Sequence, residues 1–358
     1  MNLTRSAIIT GVGVLPVLIA AFFIARTPAN VLNGGLVSAQ SATPGTDTVD
    51  YSLPEGRSAG QIGSDLQKLG VIRSATQFQT LVALLGVQDK LSAGDFVFTK
   101  DQSAASVIDQ ITVKDRVPTV RVTFPEGIRI EEMAAIAEKA GIGTAASFMA
   151  AVAVASLPDD LAATLPPGQG LQGYLFPDTY ILPVGATPDQ LVALMIQTLT
   201  KRFTPELRAA AQAHGLNPYQ ALTLASIVER EAALASERPL IAGVFYNRLA
   251  AGDMLGADPT VQFAAALDPA SVAKYGYWKK ELTIDDLENQ SKYNTRLFAG
   301  LPPGPIANPG LASIEAVANP TNTKYYYFVA DAKKADGSHV FAETFAQHQR
   351  NIAAVGSP

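Results

Sequence analysis

A Pro-Glu-Gly tripeptide at residues 54–56 recurs 71 positions later at residues 125–127. Each copy is followed by an amphipathic helical pattern: Ile62, Leu66 and Leu69 in the first, Met133, Ile136 and Ala140 in the second. Each then reaches a glycine (Gly70, Gly141), an isoleucine (Ile72, Ile142) and a phenylalanine (Phe78, Phe148). The repeat predicts two units of strand, turn, helix, loop and helix. In the first, Phe96-Val97-Phe98 adds a closing strand after a turn at Ala93-Gly94-Asp95. Glu55 and Glu126 read as turn or cap residues, because a carboxylate ahead of a helix is favoured by the helix dipole.

Upstream, residues 7–25 form a run of 19 uncharged residues between Arg5 and Arg26. A spanning helix needs roughly 20 apolar residues, whereas a signal-peptide core is about 7–15. The run predicts a transmembrane anchor over residues 1–26; a cleaved signal ending near Val37-Ser38-Ala39 is the alternative. Arg5 and the terminal amine bias the N-terminus toward the cytoplasm. Residues 27–49, rich in Ala, Gly, Ser, Thr, Asn and Pro, predict a flexible tether.

Downstream of the repeat, Thr187-Pro188 and Asn217-Pro218 are N-cap and N1 pairs, predicting helices over 188–203 and 218–234. Ser236 is expected to cap a third helix, over 237–250, that Gly252 ends. A strand over 325–330, a turn at Asp336-Gly337, a short strand at 339–341 and a last helix over 344–354 follow. The fold class expected is α+β: an N-terminal transmembrane helix, a small α/β module over 50–119, a second Pro-Glu-Gly segment over 120–156 and a mixed α+β catalytic domain over 157–358.

The formal net charge of -5 and the lack of a basic cluster speak against nucleic-acid binding. The chain has no cysteine, which excludes disulfides and thiolate chemistry. Its histidines, His214, His339 and His348, lack metal-site spacing. No metal and no cofactor is expected.

The helix over 218–234 carries the most informative side chain. At a 3.6-residue period Leu222, Ala225, Ser226, Glu229 and Ala233 form one stripe. Small neighbours leave room beside Glu229 for a ligand or another segment. Partial desolvation there would let it hold a proton and give it to a leaving oxygen. The alternative is an ordinary solvated helix charge, with Glu231 paired to Arg230 or Arg238.

From residue 171 to 330 the chain resembles the membrane-bound endolytic murein transglycosylases, the YceG-like family. The resemblance rests on Gly173-Tyr174-Leu175-Phe176-Pro177-Asp178-Thr179-Tyr180, Ala225-Ser226-Ile227-Val228-Glu229-Arg230-Glu231, and the segment from Glu237 through Tyr246-Asn247-Arg248-Leu249. Asp258-Pro259-Thr260-Val261, Tyr293-Asn294-Thr295 and the proline-rich loop over 300–310 complete it. The resemblance implies cleavage of peptidoglycan glycan strands between MurNAc and GlcNAc, within the strand and without water. It places the catalytic glutamate on Glu229, which would protonate the bridging oxygen and then take a proton from the MurNAc C6 hydroxyl. One carboxylate can then serve twice, where ordinary glycosidases need two; no obvious second carboxylate is placed as a partner. The first repeat unit is similar to a LysM carbohydrate-binding module, or else serves packing and positioning.

The other site residues follow from the same segments. Tyr174, Phe176 and Tyr180 would stack on sugar faces or pack in a core. Asn247 would bind an N-acetyl group or hold Glu229, and Arg248 would bind substrate or pair with a carboxylate. Asp258 would contact substrate or cap a helix over 259–266. Tyr293 and Asn294 would line the groove, with Asp178 and Ser226 completing the substrate-binding set. The rigid 300–310 loop would form a wall. One departure is Gln172, where the family commonly has glutamate; it reads as a neutral substitution in a structural or binding role. The partners implied are peptidoglycan strands, the cytoplasmic membrane and cell-wall synthases. The location implied is the inner membrane, single-pass, with the catalytic domain in the periplasm and a role in trimming or terminating nascent strands. Two other readings are a noncatalytic anchored peptidoglycan-binding protein that positions synthases, and a membrane scaffold that binds no sugar.

Overall fold

The computed structural model describes residues 48–112 and 119–356. The expected anchor and nearly all of the tether lie outside them. No helix among the described residues is long and apolar enough to cross a membrane.

The first repeat unit runs β1 (Thr48–Leu53), α1 (Ala59–Lys68), α2 (Ala75–Leu85), β2 (Gly94–Thr99) and α3 (Ala104–Ile111). β1 and β2 pair antiparallel, Thr48 opposite Thr99 and Leu53 opposite Gly94. Alternation along the strands puts Tyr51, Leu53, Phe96 and Phe98 on one face, where they meet Leu66, Phe78, Val82, Val107 and Ile108 in a core of their own. Each fully buried Leu or Phe stabilises that core by about 2 kcal/mol.

The second unit opens alike, with β3 (Thr119–Thr123), α4 (Ile130–Lys139) and α5 (Ala145–Val154). Its closing strand arrives late. After the one-turn α6 (Asp159–Ala162) and the Gly173–Pro177 segment, β4 (Thr179–Pro183) pairs antiparallel with β3, Thr119 opposite Pro183 and Thr123 opposite Thr179. The boundary expected at residue 157 is therefore not a break in the packing. Val122, Phe124, Met133 and Phe148 share one core with Tyr174, Leu191, Leu222 and Phe245.

That core is built on α7 (Pro188–Arg202), α8 (Pro205–Ala213), α9 (Pro218–Glu231), α10 (Arg238–Ala251) and α11 (Asp258–Ala265). The short α12 (Pro269–Tyr275) and α13 (Ile284–Leu287) lead to the proline loop and α14 (Leu311–Ala318). The hairpin of β5 (Tyr327–Ala330) and β6 (His339–Ala342), with α15 (Phe345–Val355), closes the chain. The caps at 187 and 217 act as the sequence implies: Thr187 accepts from Gln190 N–H and Asn217 from Gln220 N–H, each with proline at the start of the helix. Two caps differ. Glu237, not Ser236, precedes α10 and makes no side-chain cap, and Asp258 is the first residue of α11 rather than its cap. Asp258 instead pairs with Arg296.

Candidate active site

Helix α9 is buried on almost every side, from Tyr219 through Val228. A helix apolar all round belongs in a core, and the last turn of this one comes to the surface. There the Glu229 side chain is only 5% exposed. The room beside the small residues of the stripe is taken by the proline loop: Ile306 N–H donates to Ser226 Oγ at 3.0 Å and Tyr219 Oη to the Pro303 carbonyl at 2.7 Å.

Three donors close on the Glu229 carboxylate. Arg238 Nη2 donates to Oε1 at 2.9 Å. Gly310 N–H and Ser313 Oγ donate to Oε2 at 3.0 and 2.8 Å. Gly310 precedes α14, so the carboxylate sits at a helix N-terminus, where partial positive charge and free N–H groups favour an anion. The sequence predicts a desolvated Glu229 holding a proton. The carboxylate is kept from water, and an arginine, a backbone N–H and a hydroxyl occupy both of its oxygens.

A second carboxylate reaches the same place. Gly127 takes φ +75°, and a Cβ there would lie 3.3 Å from Glu229 Cγ and Arg230 Cδ, so the Pro125-Glu126-Gly127 turn rests on the end of α9. Gly127 N–H donates to the Asn308 carbonyl at 2.9 Å. Glu126 lies against the α-carbon of Gly310, the residue whose N–H holds Glu229; any Cβ at Gly310 would collide with the Glu126 carboxyl. Partial burial, then the charge of Glu229, raises the Glu126 pKa above the usual carboxylate range. Glu126 is thus not a cap. The helix after its turn is capped by Glu132, which accepts Arg129 N–H at 2.9 Å, and by Gln172, whose Oε1 accepts Ile130 N–H at 3.1 Å. Gln172 therefore has a structural role.

Asn308 ties the site together. Its Oδ1 accepts from Gly173 N–H and Leu175 N–H at 3.0 and 3.2 Å, and its Nδ2 donates to the Ile128 carbonyl at 3.1 Å. Beside the turn, the Arg230 guanidinium lies 3.8 Å over the Trp278 ring and Arg129 lies 4.3 Å over Phe263.

The remaining expected site residues are dispersed. Tyr174, Phe176 and Tyr180 are core side chains, and Tyr180 Oη donates to the Phe176 carbonyl at 2.7 Å; stacking on sugars gives way to packing. Ser226 is fully buried and donates to the Thr223 carbonyl. Asn294, also fully buried, donates to the Leu287 and Asn289 carbonyls. Asn247 bridges the Thr323 and Tyr325 carbonyls rather than reaching Glu229. Arg248 donates to the Tyr326 carbonyl at 2.6 Å. Asp178 accepts Thr179 N–H at 2.7 Å and contributes charge at Glu126. Tyr293 is half-buried against Phe263, ring centres 4.5 Å apart.

Two cavities flank α9. One of ≈ 870 Å³ is lined by Tyr219, Asn247 and the 301–303 loop, and one of ≈ 660 Å³ by Glu231, Arg248, Asp258 and Tyr327. Glu229 lines neither. The sequence reading missed Glu126, Arg238, Asn308, Gly310, Ser313 and Trp278 as site residues. The repeated tripeptide pointed at Glu126, and Arg238, Asn308 and Gly310 stand inside segments already singled out; Ser313 carried no signal.

A profile of the YceG-like family matches residues 51–354. The chain is 32% identical over 321 residues to an endolytic murein transglycosylase of Bacillus subtilis (strain 168), covering 85% of this chain and 83% of that protein. It is 30% identical over 327 residues to an endolytic murein transglycosylase of Streptococcus pneumoniae serotype 2, of whose length it spans 58%. The crystal structure of a yceG-like protein of Listeria monocytogenes superimposes with a TM-score of 0.55 at 26% identity, covering 85% of this chain and 99% of that one. The matched region takes in both repeat units, the Glu229 helix and the proline loop, and the chain belongs to the YceG-like family.

Proposed function

We propose that this protein is an endolytic lytic transglycosylase that cuts the MurNAc–GlcNAc bond within peptidoglycan strands and leaves 1,6-anhydroMurNAc ends. The observation that carries the reading is Glu229: a carboxylate on the last turn of a buried helix, fixed by Arg238, Gly310 and Ser313. Such fixing holds a group in one geometry before substrate arrives. The relatives named endolytic murein transglycosylases support the substrate class.

The chemistry conserves its atoms without water. The bond from MurNAc C1 to the bridging oxygen breaks as that oxygen takes a proton. The C6 hydroxyl of the same MurNAc bonds to C1 and loses its proton to a carboxylate. The nucleophile comes from the substrate, so the protein supplies proton transfer and stabilisation of positive charge at C1. Tyr293, Asp178 and Trp278 supply aromatic or acidic surface for a sugar chain.

The wider reading is part of the same proposal. Residues 1–26 anchor the chain in the cytoplasmic membrane with its N-terminus inside, the folded part works in the periplasm, and the first repeat unit binds glycan as a LysM-like module. The enzyme would trim or terminate strands beside the synthases that make them. Gln172, the best foothold for a noncatalytic binding protein, has a helix-end role instead. The test is digestion of purified sacculi. Anhydro-ended fragments from the full-length protein are expected, and sacculi bound but not shortened would replace the enzyme with a binding protein.

A further inference from the structure

The two cavities beside α9 differ in charge. The larger is lined by amide, hydroxyl and apolar side chains and His214, with no Asp, Glu, Lys or Arg. The smaller is lined by Glu231, Asp253, Asp258, Arg248 and Arg296, so it presents both signs. Peptidoglycan divides in the same way. Its sugars are neutral, while the peptide on the lactyl group of MurNAc carries ammonium and carboxylate groups. Complementary charge is what lets a pocket choose between such parts.

The charge in the smaller cavity is only partly satisfied within the protein. Arg248 is held by the Tyr326 and Leu255 carbonyls, and Arg296 pairs with Asp258. The exposed Asp253 carboxylate feels the charge of Arg248 but has no hydrogen bond or ion pair among the described residues. His348 Nδ1 is buried without a partner. Arg248 stands 5.1 Å over the Tyr327 ring, and His348 stacks on that ring with centres 5.3 Å apart. The exposed Phe345 packs beside them. Acceptors without donors, set among aromatic faces, suit an ammonium and the apolar stem that carries it.

The cavity adjoins the catalytic carboxylate by two routes. Glu231 follows Glu229 by two residues, about 200° round the helix, so the two carboxyls leave α9 on opposite sides of one turn. His339, in the cavity wall, has Nδ1 2.7 Å from Glu237 Oε2, and its backbone N–H donates to Glu237 Oε1 at 3.0 Å. Glu237 is followed by Arg238, which donates to Glu229. Residues 229–238 are thus the wall that the two places share.

We propose, resting on the transglycosylase reading, that this cavity binds the peptide of the MurNAc being cleaved and recognises its free ammonium group. The sugar whose C1 reacts lies at Glu229, and its peptide crosses the end of α9 to Glu231. Asp253 receives the ammonium, Tyr327 and Phe345 cover its methylene stem, and Arg296 faces a carboxylate of the same peptide. Substrate choice is set beside the one carboxylate that moves protons, by groups that take no part in the reaction.

The experiment compares three substrates: peptide-bearing glycan strands, the same strands with peptides removed by an amidase, and peptide-bearing strands whose amines are acetylated. The kcat and KM of anhydro-end formation are measured for the full-length protein, for Asp253→Asn and for Met254→Trp, with thermal unfolding of each. Met254 is exposed and lines the cavity, so tryptophan fills it without removing a polar contact. A hydrogen bond to a charged group is worth about tenfold or more in affinity. Wild type is expected to show a KM about tenfold lower on peptide-bearing strands than on the other two, at similar kcat. Both variants should raise KM on peptide-bearing strands to the peptide-free value with kcat held, and unfold at the wild-type temperature. Wild type indifferent to the three substrates overturns the proposal, as do variants slowed alike on all of them. An advantage that survives acetylation overturns it too. If wild type makes no anhydro ends, calorimetric titration with the disaccharide-peptide of peptidoglycan separates the two readings. Binding that Met254→Trp abolishes keeps the cavity and removes only the enzyme; no binding by wild type removes both.

Discussion

The two Pro-Glu-Gly turns have the same local shape and opposite surroundings. Gly56 and Gly127 take φ +76° and +75°, and each turn links a strand to an amphipathic helix. A Cβ on Gly56 would meet nothing within 4 Å, whereas on Gly127 it would press on Glu229 and Arg230. Pro54, Glu55 and Gly56 are all exposed; Pro125 and Glu126 are exposed too, but Gly127 is buried. Glu126 meets Gly310 and the charge of Glu229. The tripeptide therefore encodes a turn, and the chemistry comes from what packs against it. The first unit closes its own sheet with β2 and ends as a separate core. The second waits for β4, and in doing so is folded into the larger core with α9 beside its turn.

The contrast extends to ion pairs, where the largest effect is expected. Arg238 and Glu229 are 13% and 5% exposed, while Arg57 and Asp65 of the first unit are 35% and 27% exposed. Removing one partner of a buried pair strands a charge and costs about 3 kcal/mol; exposed pairs are worth under about 1 kcal/mol. Denaturant unfolding should show Arg238→Ala far less stable than Arg57→Ala. Equal losses would mean that the Glu229 site is no drier than the repeat surface.

Next comes Glu231, two residues beyond Glu229 on the same helix. Burial, then the charge of Asp258, pushes it up to about 8, against Arg296, Arg248 and the Asp258 backbone N–H. Its folded value lies above the unfolded value of about 4.3. Between these the native state holds a proton that the unfolded chain releases, so stability falls as pH rises through about 8. Glu231→Gln should abolish this loss, read as a flattened plot of unfolding free energy against pH. A wild-type plot already flat there would put Glu231 in solvent.

Smaller still is the paired glycine test. Both glycines have positive φ, so alanine costs about 1 kcal/mol at either site. Only Gly127→Ala also displaces Glu229, and it alone should slow sacculus digestion, by about tenfold or more. Equal activity in the two variants would remove the functional difference between the turns.

What the sequence revealed was local. Thr187-Pro188, Asn217-Pro218 and Gly252 carry their own capping chemistry, and the helices begin and end beside them. Leu222, Ala225 and Glu229 share a stripe because helical periodicity is a short-range property. What it concealed was long-range. Glu126 lies 103 positions before Glu229 and Ser313 lies 84 after it, and no periodicity links them. Tyr174, Tyr180 and Asn294 looked like sugar contacts because aromatic and amide side chains serve both cores and glycans. Only packing decides between the two, and here it buries them.

The central claim is that Glu229 drives an intramolecular cleavage. It is tested most directly by digesting sacculi in heavy-oxygen water with wild type and Glu229→Gln and weighing the new strand ends. The account predicts unlabelled anhydro ends from wild type and none from the variant. Heavy-oxygen-labelled reducing ends, or undiminished cleavage by Glu229→Gln, would contradict it.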